Sequence, residues 1–167
     1  IKAVINLCIS EHGLLITNPF GGVYIPEDDL ETKRRPIPLE NIRRVQAECQ
    51  TYDDDQRWLI ALISDTGMRL SEACGLLIED IKLDAEIPYL DVKPHSWRRL
   101  KTKGSARQLP LVGTSLWAAN RIVAAASKEL AFPRYCNMTK VKANSASGSL
   151  NKWLSQRVPE GCVVHSF

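Results

Sequence analysis

Apolar residues recur along most of this chain at intervals of three and four, the spacing of amphipathic helices. Residues 1 to 12 place Val4, Ile5, Cys8 and Ile9 on one side, and Gly13 is a stop signal. Leu39 to Gln50 repeats the pattern with Ile42, Val45, Gln46 and Cys49. Asp53 to Ser64 gives a third helix, with Trp58, Leu59, Leu62 and Ile63 toward a core. Its "DDD" start complements the positive end of a helix. The stretch Thr66 to Ile81, "TGMRLSEACGLLIEDI", reads as a tight Thr-Gly turn running into an amphipathic helix capped by Ser71, with Leu70, Ala73, Cys74, Leu77 and Ile81 on one face.

The period then shortens. "EIPYLDV" (Glu86 to Val92) and "ARQLPL" (Ala106 to Leu111) read as short strands joined by "KPHSWRRLKTKGS", a basic hairpin or small antiparallel sheet. Helical spacing returns at Thr114, an N-cap, with Leu116, Trp117, Ile122, Val123 and Ala126 along one side. "RYCNMTKVKANSASG" reads as loop, and "SLNKWLSQRV" as a short helix ended by Pro159 and Gly161. The expected fold class is therefore α+β, mainly α-helical with a small antiparallel sheet.

Between Thr17 and Pro38 the composition turns to Pro, Gly and charge, as in a linker, which sets a domain boundary there. With 167 residues, a single domain can bury about 70% of the surface its unfolded chain exposes. The 5 cysteines are scattered and form no Cys-x-x-Cys pair. Reduced thiols in a cytoplasm follow, with Cys74 a small core residue. No signal-peptide pattern is present, nor any apolar run near the ~18 residues of a membrane span. The apolar start at Ile1 and the apolar end "CVVHSF" read as cuts through a longer protein, the end left exposed for want of a cover. A net charge of +3 identifies no partner by itself.

Three local features carry chemistry. Arg69 lies in the turn before a helix, where Glu72 can orient its guanidinium; alone, such a pair is an ordinary surface ion pair. Residues 93 to 107 hold Lys93, Arg98, Arg99, Lys101, Lys103 and Arg107 with no Asp or Glu, and His95 and Trp97 between them. Like charges so crowded are relieved by an anion, and a phosphate backbone is the commonest; a solvated basic hairpin is the plain alternative. Third, His165 follows "GCVV", a setting shared by many core histidines.

In this order, "DTGMRLSEACGLLIEDI", "RRLKTKGSARQLPLVG" and "VVHSF" resemble the catalytic domain of the tyrosine recombinases, the phage integrase family. Thr66, Gly67, Arg69, Glu72, Asp80 and Ile81 fill the family's first box. "KTKGSARQLPL" matches its hairpin, with Lys101 as the catalytic lysine and Lys103 as the alternative. His165, Ser166 and Phe167 begin its second box, whose arginine comes next in the family. The resemblance runs from about Pro38 onward. It makes residues 1–37 the end of an N-terminal core-binding domain with its linker, and 38–167 a partial catalytic domain.

The resemblance implies phosphoryl transfer on double-stranded DNA through a 3'-phosphotyrosyl intermediate, with protein cations in place of any metal and no cofactor. Arg69 clamps the phosphate and Glu72 orients it. Lys101 protonates the leaving 5' oxygen, and His165 contacts the phosphate or moves a proton at the nucleophile. Arg98, Arg99, Lys103 and Arg107 are expected DNA contacts. The family's second arginine and nucleophilic tyrosine have no counterpart, since Tyr24, Tyr52, Tyr89 and Tyr135 all precede His165. The stretch is therefore expected to bind DNA without cleaving it, as a monomer, where the full-length protein forms tetramers on paired sites. A non-catalytic DNA-binding or scaffold protein on the same fold is the rival reading, and a helical interaction domain with an incidental basic hairpin the third.

Overall fold

In a computed structural model, residues 1–23 and 35–167 are described. The linker expected to end near residue 37 thus lies in part, at residues 24–34, outside the described residues. Contacts divide the chain into two units, Ile1–Lys33 and Arg34–Phe167. In the first, helix α1 (Lys2–Glu11) buries no residue. The chain after Gly13 folds back on it: Lys2 Nζ donates to the Gly21 carbonyl at 2.8 Å, and Asn18 Nδ2 to the Lys2 carbonyl at 3.0 Å.

The second unit is built on α2 (Leu39–Tyr52) and α3 (Asp55–Thr66). Between them Asp53 adopts φ 48° and Asp54 caps α3, accepting the Arg57 N–H at 3.0 Å. Helix α3 is the central element, burying Leu59 to Ile63 against α2 and α5 (Gly113–Ala124). Helix α6 (Ala143–Leu154) packs on the short α4 (Leu70–Cys74). Strands β1 (Ile81–Lys82), β2 (Tyr89–Val92) and β3 (Arg107–Pro110) form one antiparallel sheet in the order β1-β2-β3. Its register pairs Leu90 with Leu109 and Val92 with Arg107. Among the described residues no helix is long and apolar enough to cross a membrane.

Several expectations change. The helix expected after the Thr66–Gly67 turn does not run on to Ile81: α4 ends at Cys74, a 3-10 turn covers Ile78–Asp80, and β1 follows. The backbone leaves the helix because 76–78 bonds elsewhere, Ala131 N–H to Leu76 O at 3.0 Å and Ile78 N–H to Glu129 O at 2.7 Å. The five residues expected inward are buried all the same. Ser71 is not the cap; Arg69 occupies that position and Ser71 lies inside the helix. Likewise Val112, not Thr114, caps α5, and Ser115 closes the turn by accepting the Val112 N–H at 3.1 Å.

Helix α6 begins at Ala143, inside the stretch read as loop, because Ala146, Leu150 and Leu154 form one fully buried row. Burial overrides the weak helix preference of "NSASG". The end of the chain is not left open either. Val164 is buried, its N–H donating to Asn151 Oδ1 at 2.8 Å, and Ile37 N–H reaches the Ser166 carbonyl at 3.3 Å. The cysteines are free thiols. Burial pushes the Cys49 and Cys74 thiols up to about 12, which leaves them protonated and inert.

Candidate active site

The turn that presents Arg69 is closed from both sides. Gly67, at φ 60°, ends α3, a backbone conformation that a side chain would strain. Thr66 Oγ1 donates to the Leu62 carbonyl at 2.6 Å, and Met68 and Leu70 on either side of Arg69 are buried. With its neighbours anchored, Arg69 can only face outward, and its side chain is 46% exposed.

Glu72, in the first turn of α4, is 2% exposed and fully engaged. Oε2 accepts the Arg69 backbone N–H at 3.1 Å, which satisfies an otherwise orphan helix donor. Oε1 accepts Arg69 Nη1 at 2.8 Å, and Oε2 also accepts Arg107 Nη2 from β3 at 2.9 Å. Burial acts to raise the Glu72 carboxyl's pKa, but the hydrogen bonds from Arg107 and then Arg69 outweigh it and hold it below its ordinary value. One buried anion is thus shared by two guanidinium groups. Among the described residues, Nε and Nη2 of Arg69 have no hydrogen-bond partner, so a phosphate can be met by two donors in one plane.

Arg107 ties this cluster to the connection between β2 and β3. Its Nη1 donates to the Ser105 carbonyl at 2.8 Å, and Ser105 Oγ accepts the Thr102 N–H at 3.3 Å and meets Thr102 Oγ1 at 2.9 Å. Lys101, next to Thr102, is exposed, as is Arg99. The side chain of Lys103 lies outside the described residues.

Arg98 corrects an expectation. Read as a DNA contact, it is instead 2% exposed, donating to the Glu72 carbonyl at 2.6 Å and to the Lys93 carbonyl. It packs so closely on Gly75 that a Cβ there would lie 2.7 Å from Arg98 Cδ. Around it lies a second buried acid, Asp80. Asp80 Oδ2 accepts the Leu77 N–H at 3.1 Å and His95 Nε2 at 2.8 Å, and Lys93 Nζ is 3.0 Å from Oδ1. His95 stacks on Trp97, whose Nε1 donates to the Gly75 carbonyl at 3.3 Å. A tight His95–Arg98 turn is thereby fastened to the 3-10 turn before β1. Sequence reading matched Asp80 to a family motif but missed this anchoring work; its place three residues after Leu77, the spacing of a capping acid, was the available signal.

His165 is exposed on a 3-10 turn, Val164–Ser166, rooted by Val164 in the core. Of the tyrosines, Tyr135 is buried, Tyr52 packs edge-on against Trp153, Tyr89 lies in β2, and Tyr24 is outside the described residues. No group of His, Cys, Asp and Glu side chains among the described residues is placed to hold a metal ion.

A family model described as the phage integrase family matches residues 37–162. No curated protein sequence matches the chain. Its structure is similar to that of the Tn1549 transposon integrase. One complex of that protein with a circular intermediate DNA aligns at 18% identity with a TM-score of 0.68. Another aligns at 21% and 0.66, and one with transposon right end DNA at 19% and 0.62. Each alignment covers 99% of this chain and 60% of the other, so the chain spans 60% of the length of those neighbours. At such identities the likeness is one of fold: the mainly helical body with its small antiparallel sheet is that of the tyrosine recombinase catalytic domain. The family model, in contrast, covers well over half of the sequence, and on that match this chain belongs to the phage integrase family.

Proposed function

We propose that this chain is part of a site-specific DNA recombinase that cuts and rejoins double-stranded DNA by phosphoryl transfer through a 3'-phosphotyrosyl intermediate. The reading rests above all on buried Glu72, which holds Arg69 in one orientation while the rest of its guanidinium faces solvent. Negative charge grows on the nonbridging oxygens of the scissile phosphate in the transition state. A donor already aimed at them is worth roughly 3 to 4 kcal/mol. Arg69 is that donor, and Glu72 orients it.

Lys101 delivers a proton to the leaving 5' oxygen, which is a poor leaving group as an alkoxide. Lys103 is the alternative for this role. His165 contacts the same phosphate or assists proton movement at the nucleophile. Arg99 adds a backbone contact. Covalent capture by tyrosine would conserve the phosphodiester energy and allow rejoining without a nucleotide cofactor. The domain reading goes with this: residues 1–37 end a core-binding domain and 38–167 belong to the catalytic domain, acting in the cytoplasm, with the full-length protein a tetramer on paired DNA sites.

None of the described tyrosines follows His165, and Tyr135 is buried. A polypeptide of these 167 residues is thus expected to bind DNA as a monomer without linking to it. The test is a fluorescent mixed-sequence duplex titrated with this polypeptide across a salt series, beside a nicked suicide duplex resolved on a denaturing gel. Log affinity should fall steeply with log salt, Arg69→Ala should weaken binding, and no covalent adduct should form. Salt-independent binding would favour a helical interaction domain. A covalent adduct would overturn the assignment of the nucleophile.

A further inference from the structure

The Arg107 guanidinium spans two partners in different parts of the chain. Nη2 meets Glu72 Oε2 at 2.9 Å and Nη1 meets the Ser105 carbonyl at 2.8 Å. Its origin in β3 is set by pairing with Val92 of β2, and its side chain, 31% exposed, is less open than that of Arg69. Both terminal nitrogens thus point into the protein, where the basic run in the sequence suggested a phosphate contact. A planar fork can hold a carboxylate and a carbonyl in fixed relative positions; an ammonium on a flexible stem cannot.

We infer that Arg107 is a positioning residue, which through Glu72 fixes the direction of the Arg69 guanidinium and through Ser105 fixes the turn beside Lys101, so that clamp and proton donor are held in one register. The inference rests on the reading of Arg69 as the phosphate clamp. Its geometry is a continuous chain of hydrogen bonds: Arg69 to Glu72, Glu72 to Arg107, Arg107 to Ser105, and Ser105 to Thr102. Without Arg107, Glu72 keeps the Arg69 N–H on Oε2 and Nη1 on Oε1 but loses the one donor that ties its carboxylate to β3, so the carboxylate can move with Arg69, and the Lys101 turn loses its tie to the clamp. Arg69 would then sample several orientations and bind phosphate less well.

Two measurements on residues 1–167 test this. The first follows the arginine side chains by 15N NMR in the free protein. Arg69 should show two resolved Nη signals, from hindered rotation in its pair with Glu72, and Arg107→Gln should merge them. Arg107→Lys, which keeps the charge but not the fork, should leave melting near the wild-type temperature and still merge them. The second is a double-mutant cycle of Arg69→Ala and Arg107→Gln, read as affinity for the mixed-sequence duplex. Each single change should cost about tenfold, the worth of one charge-assisted hydrogen bond. The double variant should bind no more weakly than Arg69→Ala alone.

Losses that multiply would make Arg107 a phosphate contact in its own right and overturn the inference. So would Arg69 signals that stay resolved in both Arg107 variants, or a lowered melting temperature as the sole effect. Should Arg69→Ala bind DNA as tightly as the wild type, the phosphate-clamp reading falls, and the NMR signals alone decide whether Arg107 positions Arg69.

Discussion

Two carboxylates are buried within a few residues of each other in this chain, and they do opposite things with the cations they attract. Glu72 at 2% exposure and Asp80 at 0% are each met by more than one basic side chain. Around Asp80 two partners close inward, with His95 stacked on Trp97 and Arg98 buried, while Lys93 lies partly in solvent. Around Glu72 Arg107 turns inward to the Ser105 carbonyl, but Arg69 stands half in solvent with donors to spare. The same pairing chemistry therefore builds a fastener in one place and a presented cation in the other. The difference lies in whether hydrophobic neighbours cover the cation, since an arginine with donors left over and room beside it can still take a ligand.

If that contrast holds, the largest effect should come from Asp80→Ala. Removing one member of a buried ionic cluster leaves cations without a counter-charge and costs about 3 to 5 kcal/mol. At roughly 2 to 4 °C per kcal/mol for a chain of this size, melting should fall on the order of 10 °C. Glu72→Ala should cost less, about 2 kcal/mol, because both of its arginines can turn to water. It should nevertheless weaken DNA binding, where Asp80→Ala in its folded form acts only through the β2–β3 connection. Equal losses of stability and affinity in the two variants would erase the comparison.

Gly75 comes next. An added Cβ meets Arg98 Cδ at 2.7 Å and Val141 Cγ2 at 3.1 Å, so Gly75→Ala should cost about 1 to 3 kcal/mol by overpacking. A melting curve unchanged by this substitution would mean that Arg98 is free to move, and that its cluster is no fastener.

Acid should attack both carboxylates. Burial raises each pKa, but hydrogen bonds reverse the sign: Arg107 and Arg69 for Glu72, and the Leu77 N–H, His95 and Lys93 for Asp80. Both therefore lie below their ordinary values of 4.5 and 3.8 when folded. The unfolded chain binds these protons more readily. The stability they confer is thus complete above the unfolded values and lost as pH falls through the folded ones. Denaturant midpoints measured across that window should drop, and the Asp80→Asn and Glu72→Gln proteins should each show a shallower drop. The smallest effect on stability belongs to Arg69→Ala, under ~1 kcal/mol for a half-exposed ion pair. Its effect on DNA affinity should be far larger, and that dissociation is the sharpest mark of a presented cation.

Much of this was legible in the chain itself. Helix α2 begins where the apolar spacing puts it, and β2 and β3 lie within the two stretches that alternate. Arg69 and Glu72 were read as a pair, and they are one. The boundaries went astray where partners distant in sequence decided them. α4 is cut short because residues 129–131 claim the backbone of 76–78, and α6 is lengthened because Ala146 fits a core that also holds Leu150 and Leu154. The basic run divided in the same way. Arg98 and Arg99 are neighbours of identical chemistry, yet one is buried among carbonyls and the other is exposed.

What the amino-acid order determined by itself is most of the helices, the two longer strands, the buried residues Val45 and Cys49 of α2 and Leu59, Leu62 and Ile63 of α3, and the pairing of Arg69 with Glu72, because periodicity, turn chemistry and motif spacing are local properties. What only the tertiary structure decided is which cation serves which anion. Arg107 reaches Glu72 across 35 residues of chain and His95 reaches Asp80 across 15, and such pairings exist only once strand register and helix packing have brought the groups within hydrogen-bond reach.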